Sequence, residues 1–114
     1  MPRILLVEDD TAVRLVFVEI LFDAGYEVDA APSFRAGAAI LESAPSFALV
    51  ITDGRFPDGN GWALADKAKA RGIPALIVTG HGLDLDPQKY RVLAKPVRPA
   101  VFLAAVEAAM TDGR

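Results

Sequence analysis

Three short runs of apolar residues restrict the possible folds of this chain more than any other feature of its sequence. They span residues 4–7, 47–52 and 75–79, and each is followed by a polar or glycine-containing turn. Uninterrupted runs of this length are typical of strands that are buried on both faces, as in a parallel sheet. Weaker strand patterns span residues 27–31 and 91–94, so the sequence predicts five strands.

Segments with a helical period separate these strands. In the first, residues 11–24, apolar side chains recur at steps of three and four, with Asp10 as the predicted N-cap and Gly25 just beyond the end. The other predicted helices span residues 34–43 behind an N-cap at Ser33, residues 62–71 before Gly72, and a last helix with Pro99 in its first turn. We therefore predict an α/β fold, a doubly wound five-stranded parallel sheet of flavodoxin-like order 2-1-3-4-5 with helices on both faces.

The stretch from residue 80 to 90 breaks this alternation. Its helical period is interrupted by glycine, aspartate and proline, at Gly82, Asp84, Asp86 and Pro87. It has room for a turn or two of helix at most. We therefore expect the fourth helix, which would follow the fourth strand, to be short or absent.

Four of the predicted strands carry polar groups at their carboxyl ends. In chain order these are Glu8-Asp9-Asp10, Asp53, Thr79 and Lys95. The four strands are neighbours in the predicted order, and open parallel sheets bind ligands beyond the carboxyl ends of their strands. We expect these groups, apart from the helix-capping Asp10, to converge on one shallow cleft.

The acidic residues of this cleft predict a metal ion. Carboxylates at adjacent strand ends repel one another unless a cation lies among them. The chain has no cysteine and a single histidine, which excludes thiolate and all-histidine metal sites. Oxygen ligands in an open arrangement favour Mg²⁺, which together with Lys95 would balance the three charges of Glu8, Asp9 and Asp53. An aspartate can accept a phosphoryl group as an acyl phosphate, and Asp53 is the candidate because it stands alone on the central strand.

This set of residues resembles the receiver domain of two-component response regulators, and the likeness covers nearly the whole chain. That family has an acidic pair after the first strand, here Glu8-Asp9. Its phosphoacceptor follows the third strand, here Asp53 in the segment DGRFPDGNG. A threonine or serine follows the fourth strand, here Thr79-Gly80, and Lys-Pro follows the fifth, here Lys95-Pro96.

The resemblance implies a Mg²⁺ site with four protein contributions. Asp9 and Asp53 would contact the ion directly, and Glu8 would act mainly through a bound water. The backbone carbonyl of Arg55 would supply a further ligand.

The resemblance also implies how the phosphoryl group is held. Lys95 would pair with Asp53 before phosphorylation and with a phosphoryl oxygen afterwards, while the Thr79 hydroxyl would rotate inward to bind another oxygen. The Lys95-Pro96 peptide is expected to be cis. Arg55 and His81 occupy positions that influence how fast water attacks the acyl phosphate in receivers.

Two departures from the family pattern affect signalling. Receivers usually carry an aromatic residue three positions before the lysine, where this chain has Val92, and Tyr90 lies further from the cleft. The segment between Thr79 and Lys95 is also short, which resembles a subgroup of short single-domain receivers. Many receivers dimerise through the surface around the fourth helix. Because that helix is expected to be short or absent here, we expect this chain to be a monomer.

The partners follow from the resemblance and from the charge. We expect a sensor histidine kinase or phosphotransfer protein to dock on the first helix, near Val13, Arg14 and Phe17, and on the Pro96 loop. Such a receiver would act by binding a downstream protein that is not identified, by shuttling the phosphoryl group onward, or by draining a kinase as a phosphate sink, and the sequence does not choose among these. The net charge of −3 argues against nucleic acid binding.

The chain length and the N-terminal residues indicate the domain organisation and the location in the cell. We expect a single receiver domain over residues 1–114 without an output domain. The apolar run before Glu8 is too short for a signal peptide or a membrane span, so a cytoplasmic protein is expected. Its only catalysis would be its own phosphorylation and dephosphorylation. The alternative hypothesis is an interaction module with a degenerate receiver fold that works without phosphorylation.

Overall fold

The computed structural model describes residues 2–43, 46–80 and 89–112. The strands are β1 Arg3–Val7, β2 Glu27–Ala31, β3 Leu49–Thr52, β4 Arg55–Phe56, β5 Gly59–Asn60, β6 Ala75–Thr79 and β7 Arg91–Ala94. The helices are α1 Thr11–Asp23, α2 Phe34–Ser43, α3 Gly61–Ala70 and α4 Pro99–Asp112. No helix in these three ranges combines the length and the hydrophobicity needed to cross a bilayer.

The five long strands form one parallel sheet with the order β2-β1-β3-β6-β7. Since β6 and β7 are the fourth and fifth long strands, this is the predicted order 2-1-3-4-5, and the doubly wound fold is confirmed. Strands β4 and β5, of two residues each, form a separate antiparallel hairpin that was not predicted from the sequence. The hairpin directly follows β3 and lies beside the predicted cleft.

The apolar runs are continuous because both faces of the central strands are buried. On β1, Ile4 and Leu6 pack with α1 and α4, whereas Leu5 and Val7 pack with α2 and α3. The first face includes stacked rings of Phe17 and Phe102, whose centroids are 4.4 Å apart. Because helices cover both faces of the sheet, neither face of these central strands is exposed to solvent, as in other parallel sheets.

The helix caps follow local sequence signals. Asp10 accepts a hydrogen bond from the Val13 N–H at 3.0 Å, and Gly25 has a φ of 96°, a left-handed conformation that favours glycine. Ser33 is confirmed as the cap of α2. The cap of α3, Asn60, was missed, because α3 begins one residue earlier than predicted.

One other prediction needs correction, and another is not tested. Strand β3 begins at Leu49, so Phe47 is buried without belonging to the strand. On α2, Gly37 and Leu41 are buried and Ala38 is partly buried against the same cluster, and a side chain at Gly37 would come within 2.7 Å of Val7. The expected short or absent fourth helix concerns residues 81–88, which lie outside the described residues.

Candidate functional site

The acidic residues converge where β1 and β3 end. These strands are neighbours in register, Val7 opposite Thr52, so Glu8 and Asp53 leave the sheet side by side. One carboxylate oxygen from each of Glu8, Asp9 and Asp53 lies within 4.8 Å of the other two. Glu8 is 1% exposed and Asp53 is 8% exposed, whereas Asp9 faces solvent. The predicted acidic cleft is therefore formed by residues that are far apart in sequence.

Among these three acidic residues, Glu8 is held by hydrogen bonds to both its side chain and its backbone carbonyl. Its Oε1 accepts a hydrogen bond from Lys95 Nζ at 2.6 Å, and its Oε2 accepts one from the Asp10 N–H at 3.0 Å. The Arg14 guanidinium donates to the Glu8 backbone carbonyl at 2.8 Å. Burial raises the pKa of Glu8, and the hydrogen bonds from Lys95 and the Asp10 N–H offset only part of that rise. Glu8 is thus a buried acid that depends on neighbouring donors to remain charged.

Lys95 supplies the positive charge of the cleft. Its Nζ contacts Asp53 Oδ2 at 3.0 Å as well as Glu8, so one ammonium pairs with two carboxylates. Burial of the ammonium lowers the pKa of Lys95, but the hydrogen bonds to Glu8 and Asp53 together outweigh it and raise that pKa. The Lys95-Pro96 peptide is cis, which confirms the prediction.

Thr79 lies at the end of β6, with its side chain fully buried. The Lys95 N–H donates to the Thr79 carbonyl at 2.9 Å, which holds the ends of β6 and β7 together beside the cleft. Gly54 passes directly over the threonine, since a side chain on Gly54 would come within 2.9 Å of Thr79 Oγ1. The residue after the candidate nucleophile must therefore be small.

The hairpin beside the cleft carries Arg55. Its backbone N–H donates to Asp53 Oδ1 at 3.3 Å, so the Arg55 backbone lies against the acid group while its side chain is exposed. His81, the other residue expected to affect hydrolysis, lies outside the described residues.

These donors suit a hard divalent cation. The three carboxylates of the cluster offer only oxygen, and the cluster opens to solvent at Asp9. Metal ions with a preference for sulfur or nitrogen find no such donor among these groups. The arrangement can hold a metal ion next to a carboxylate that is reachable from solvent.

The sequence profile of the response regulator receiver domain matches residues 4–107. The chain is a member of this receiver family. Among curated relatives, the two-component response regulator ORR11 of Oryza sativa subsp. indica is 29% identical over 109 residues, covering 87% of this chain and 74% of that protein. The probable transcriptional regulatory protein SilR of Salmonella typhimurium is 32% identical over 121 residues, covering 97% of this chain and 52% of that protein.

Solved receiver structures share the fold. A CheY-like receiver domain protein from Methanospirillum hungatei JF-1 has a TM-score of 0.88 and 30% identity, covering 99% of this chain and 96% of that chain. A response regulator receiver protein from Sinorhizobium medicae WSM419 has a TM-score of 0.89 and 28% identity, covering 99% and 97% of the two chains. The receiver fold therefore extends over the whole described part of this chain.

One cluster on the α3 side of the sheet was not predicted. The Tyr90 ring is buried beside Trp62, with centroids 6.0 Å apart, and its hydroxyl donates to the Asp66 carboxylate. That hydrogen bond and a second one from Lys89 lower the pKa of Asp66. Tyr90 and Val92 pack in the same cluster, and the tyrosine hydroxyl is held by its hydrogen bond to Asp66. No local sequence signal connects Tyr90 with Asp66, because 24 positions separate them.

Proposed function

We propose that this receiver is a Mg²⁺-dependent phosphoacceptor that takes a phosphoryl group from the phosphohistidine of a sensor histidine kinase or phosphotransfer protein onto Asp53. One observation carries the proposal. A lysine ammonium bridges Asp53 and the buried Glu8, and a third carboxylate, Asp9, completes an acidic cluster at the carboxyl edge of the sheet. In this proposal Asp53 is the nucleophile, and a fixed cation is paired with its carboxylate before the phosphoryl group arrives.

In the proposed transfer, one Asp53 carboxylate oxygen forms a bond to phosphorus while the phosphorus–nitrogen bond of the phosphohistidine breaks. The imidazole leaves with the bonding electrons. Lys95 moves its hydrogen bond from Asp53 to a phosphoryl oxygen, and the Thr79 hydroxyl binds another. Water later attacks the acyl phosphate at phosphorus, the bond between phosphorus and the Asp53 oxygen breaks, and inorganic phosphate leaves the restored Asp53 carboxylate.

Asp9, Asp53, the Arg55 carbonyl and, through water, Glu8 would hold the ion. When bound, Mg²⁺ would neutralise the phosphoryl oxygens. Glu8 and Asp9 give the cleft a charge that otherwise repels phosphate, so transfer should need the metal.

Intact mass after incubation with acetyl phosphate tests the proposal. We expect one phosphoryl adduct on the wild type with Mg²⁺ present, and none when EDTA removes the metal. Asp53→Asn should abolish the adduct, because an amide cannot act as the nucleophile. Asp23→Asn, at an exposed aspartate ending α1, is the matched control and should be phosphorylated like the wild type.

An adduct that survives in Asp53→Asn would place the phosphoacceptor elsewhere. If the wild type acquires no adduct from acetyl phosphate or from a kinase, the alternative applies, an interaction module that works without phosphorylation.

The docking surface proposed for the kinase is an apolar groove beside the cleft. Its volume is about 430 Å³, and it lies between the first two turns of α1 and the segment from Lys95 to Val97. Of the predicted contact residues, Val13 and Phe17 line this groove, although Phe17 is only 5% exposed. Arg14 is not among the groove residues and donates to the Glu8 carbonyl instead. Val16, which the sequence analysis did not single out, is 53% exposed and lines the groove.

Val16→Glu should separate the two routes of phosphorylation. A charge in this groove should slow transfer from a histidine kinase roughly 10-fold, because a central apolar contact is lost. Phosphorylation by acetyl phosphate, which needs no docking, should keep its rate. The matched control is Leu15→Glu on the same helix, since Leu15 is also exposed, at 62%, but is not among the groove residues. Equal kinase rates for both variants would contradict docking at the groove.

Several broader expectations stay predictions. They are a single domain without an output domain, a monomeric state, a cytoplasmic location and an unidentified downstream partner. Light scattering of the phosphorylated and unphosphorylated protein would test the monomer directly.

A further inference from the structure

The short hairpin after Asp53 is attached to helix α2 by a carboxylate. Asp58 lies in the turn between β4 and β5, and its two oxygens accept hydrogen bonds from the N–H groups of Phe34 and Arg35 at 3.1 and 3.0 Å. These are the first two residues of α2, whose N–H groups have no partner within the helix. A residue from a distant turn therefore caps this helix.

The first turn of α2 is shared between two caps. The local cap, Ser33, accepts a hydrogen bond from the Ala36 N–H at 3.1 Å, and Asp58 takes the two preceding N–H groups. The hydrogen bond from the Arg35 N–H is the main influence that lowers the pKa of Asp58. Ser33 directly precedes α2 in the chain, whereas Asp58 lies in the turn of the hairpin.

The next two residues hold the hairpin as well. Gly59 lies against the Phe34 ring, because a side chain there would come within 2.6 Å of a ring carbon. Asn60 caps α3 through the Ala63 N–H at 2.9 Å. Asn60 is also the β-sheet partner of Arg55, on the strand that follows Asp53. The contacts of residues 58–60 thus constrain the backbone of Arg55.

We propose that Asp58 is a positioning residue for the metal site, holding the hairpin on α2 so that the Arg55 carbonyl stays in place to bind Mg²⁺. This inference rests on the function proposed above, in which that carbonyl is a ligand. Residues that orient metal ligands typically change metal affinity when they are removed. Coupling of this kind is reciprocal, so Mg²⁺ should in turn slow amide hydrogen exchange at Phe34 and Arg35.

A pair of cap variants on the same helix tests the proposal. Asp58→Ala and Ser33→Ala both remove capping hydrogen bonds from α2, and both should lower the melting temperature. Calorimetric titration with Mg²⁺ should give an affinity about 10-fold weaker for Asp58→Ala, and an unchanged affinity for Ser33→Ala. Asp58→Asn keeps one acceptor oxygen and should lie between wild type and Asp58→Ala.

The outcomes separate this inference from the proposed function. If the wild type binds Mg²⁺ and Asp58→Ala binds it equally well, the positioning role is overturned and the proposed function stands. If both cap variants lose affinity equally, the effect comes from α2 stability and the positioning role is again overturned. Absence of Mg²⁺ binding to the wild type itself would overturn the proposed function and this inference together.

Discussion

Gly61→Ala should destabilise the protein by about 3 kcal/mol, the cost of forcing atoms into a packed interior. A methyl group on Gly61 would overlap the backbone carbonyl oxygen of Asp53 and would also approach Gly54 within 3.1 Å. The neighbours are backbone atoms, which cannot rotate away as a flexible side chain could. The Gly61 N–H donates to the Gly54 carbonyl at 2.9 Å, so α3 begins directly against the loop of the candidate nucleophile. Denaturant unfolding monitored by circular dichroism measures the loss.

Two other glycines are controls for this variant. Gly25 and Gly80 both have open space where a side chain would be added. Gly25 has a positive φ, so Gly25→Ala should cost about 1 kcal/mol through backbone strain alone. Gly80→Ala should change the free energy of unfolding by less than about 0.5 kcal/mol. Equal losses in Gly61→Ala and Gly25→Ala would contradict the packing explanation.

Lys95→Met should destabilise the metal-free protein by about 3 kcal/mol, because it leaves two nearly buried carboxylates without their cation. The side chains of Glu8 and Asp53 are 2% and 10% exposed, so water cannot replace the lost ammonium effectively. Adding Mg²⁺ should recover part of this stability, since a divalent cation in the cleft would neutralise the same carboxylates. Thermal unfolding with EDTA and with Mg²⁺ measures both effects.

The control is an ion pair of similar geometry on the surface. Arg3 contacts Asp29 at 3.1 Å, with side chains 49% and 31% exposed. Arg3→Met should cost less than about 1 kcal/mol, because solvent screens an exposed pair, and its stability should not depend on Mg²⁺. If Lys95→Met were no more destabilised than Arg3→Met, the buried triad would not have the electrostatic role assigned to it.

Much of the fold could be predicted because its signals are local or periodic. Uninterrupted apolar runs at β1, β3 and β6 are typical of strands that are buried on both faces, as in a parallel sheet covered by helices on both sides. The caps at Asp10 and Ser33 each bind an N–H group three positions further along the chain, so they could be predicted from local sequence. The capping of α2 by Asp58 could not be predicted in this way. Its partners on α2 lie 23 and 24 positions away, and its own neighbours indicate only a turn.

The candidate site also has a part that could be predicted from the sequence and a part that could not. The sequence by itself determined which groups stand at the strand ends, because a parallel sheet places those ends on one edge. Only the tertiary structure decided that Lys95 lies closer to Glu8 than to Asp53, that Gly61 lies against the Asp53 carbonyl, and that Asp58 holds the hairpin. These contacts join chain segments whose separation depends on how helices and loops pack in three dimensions. Residue type and spacing along the chain carry no information about such distances.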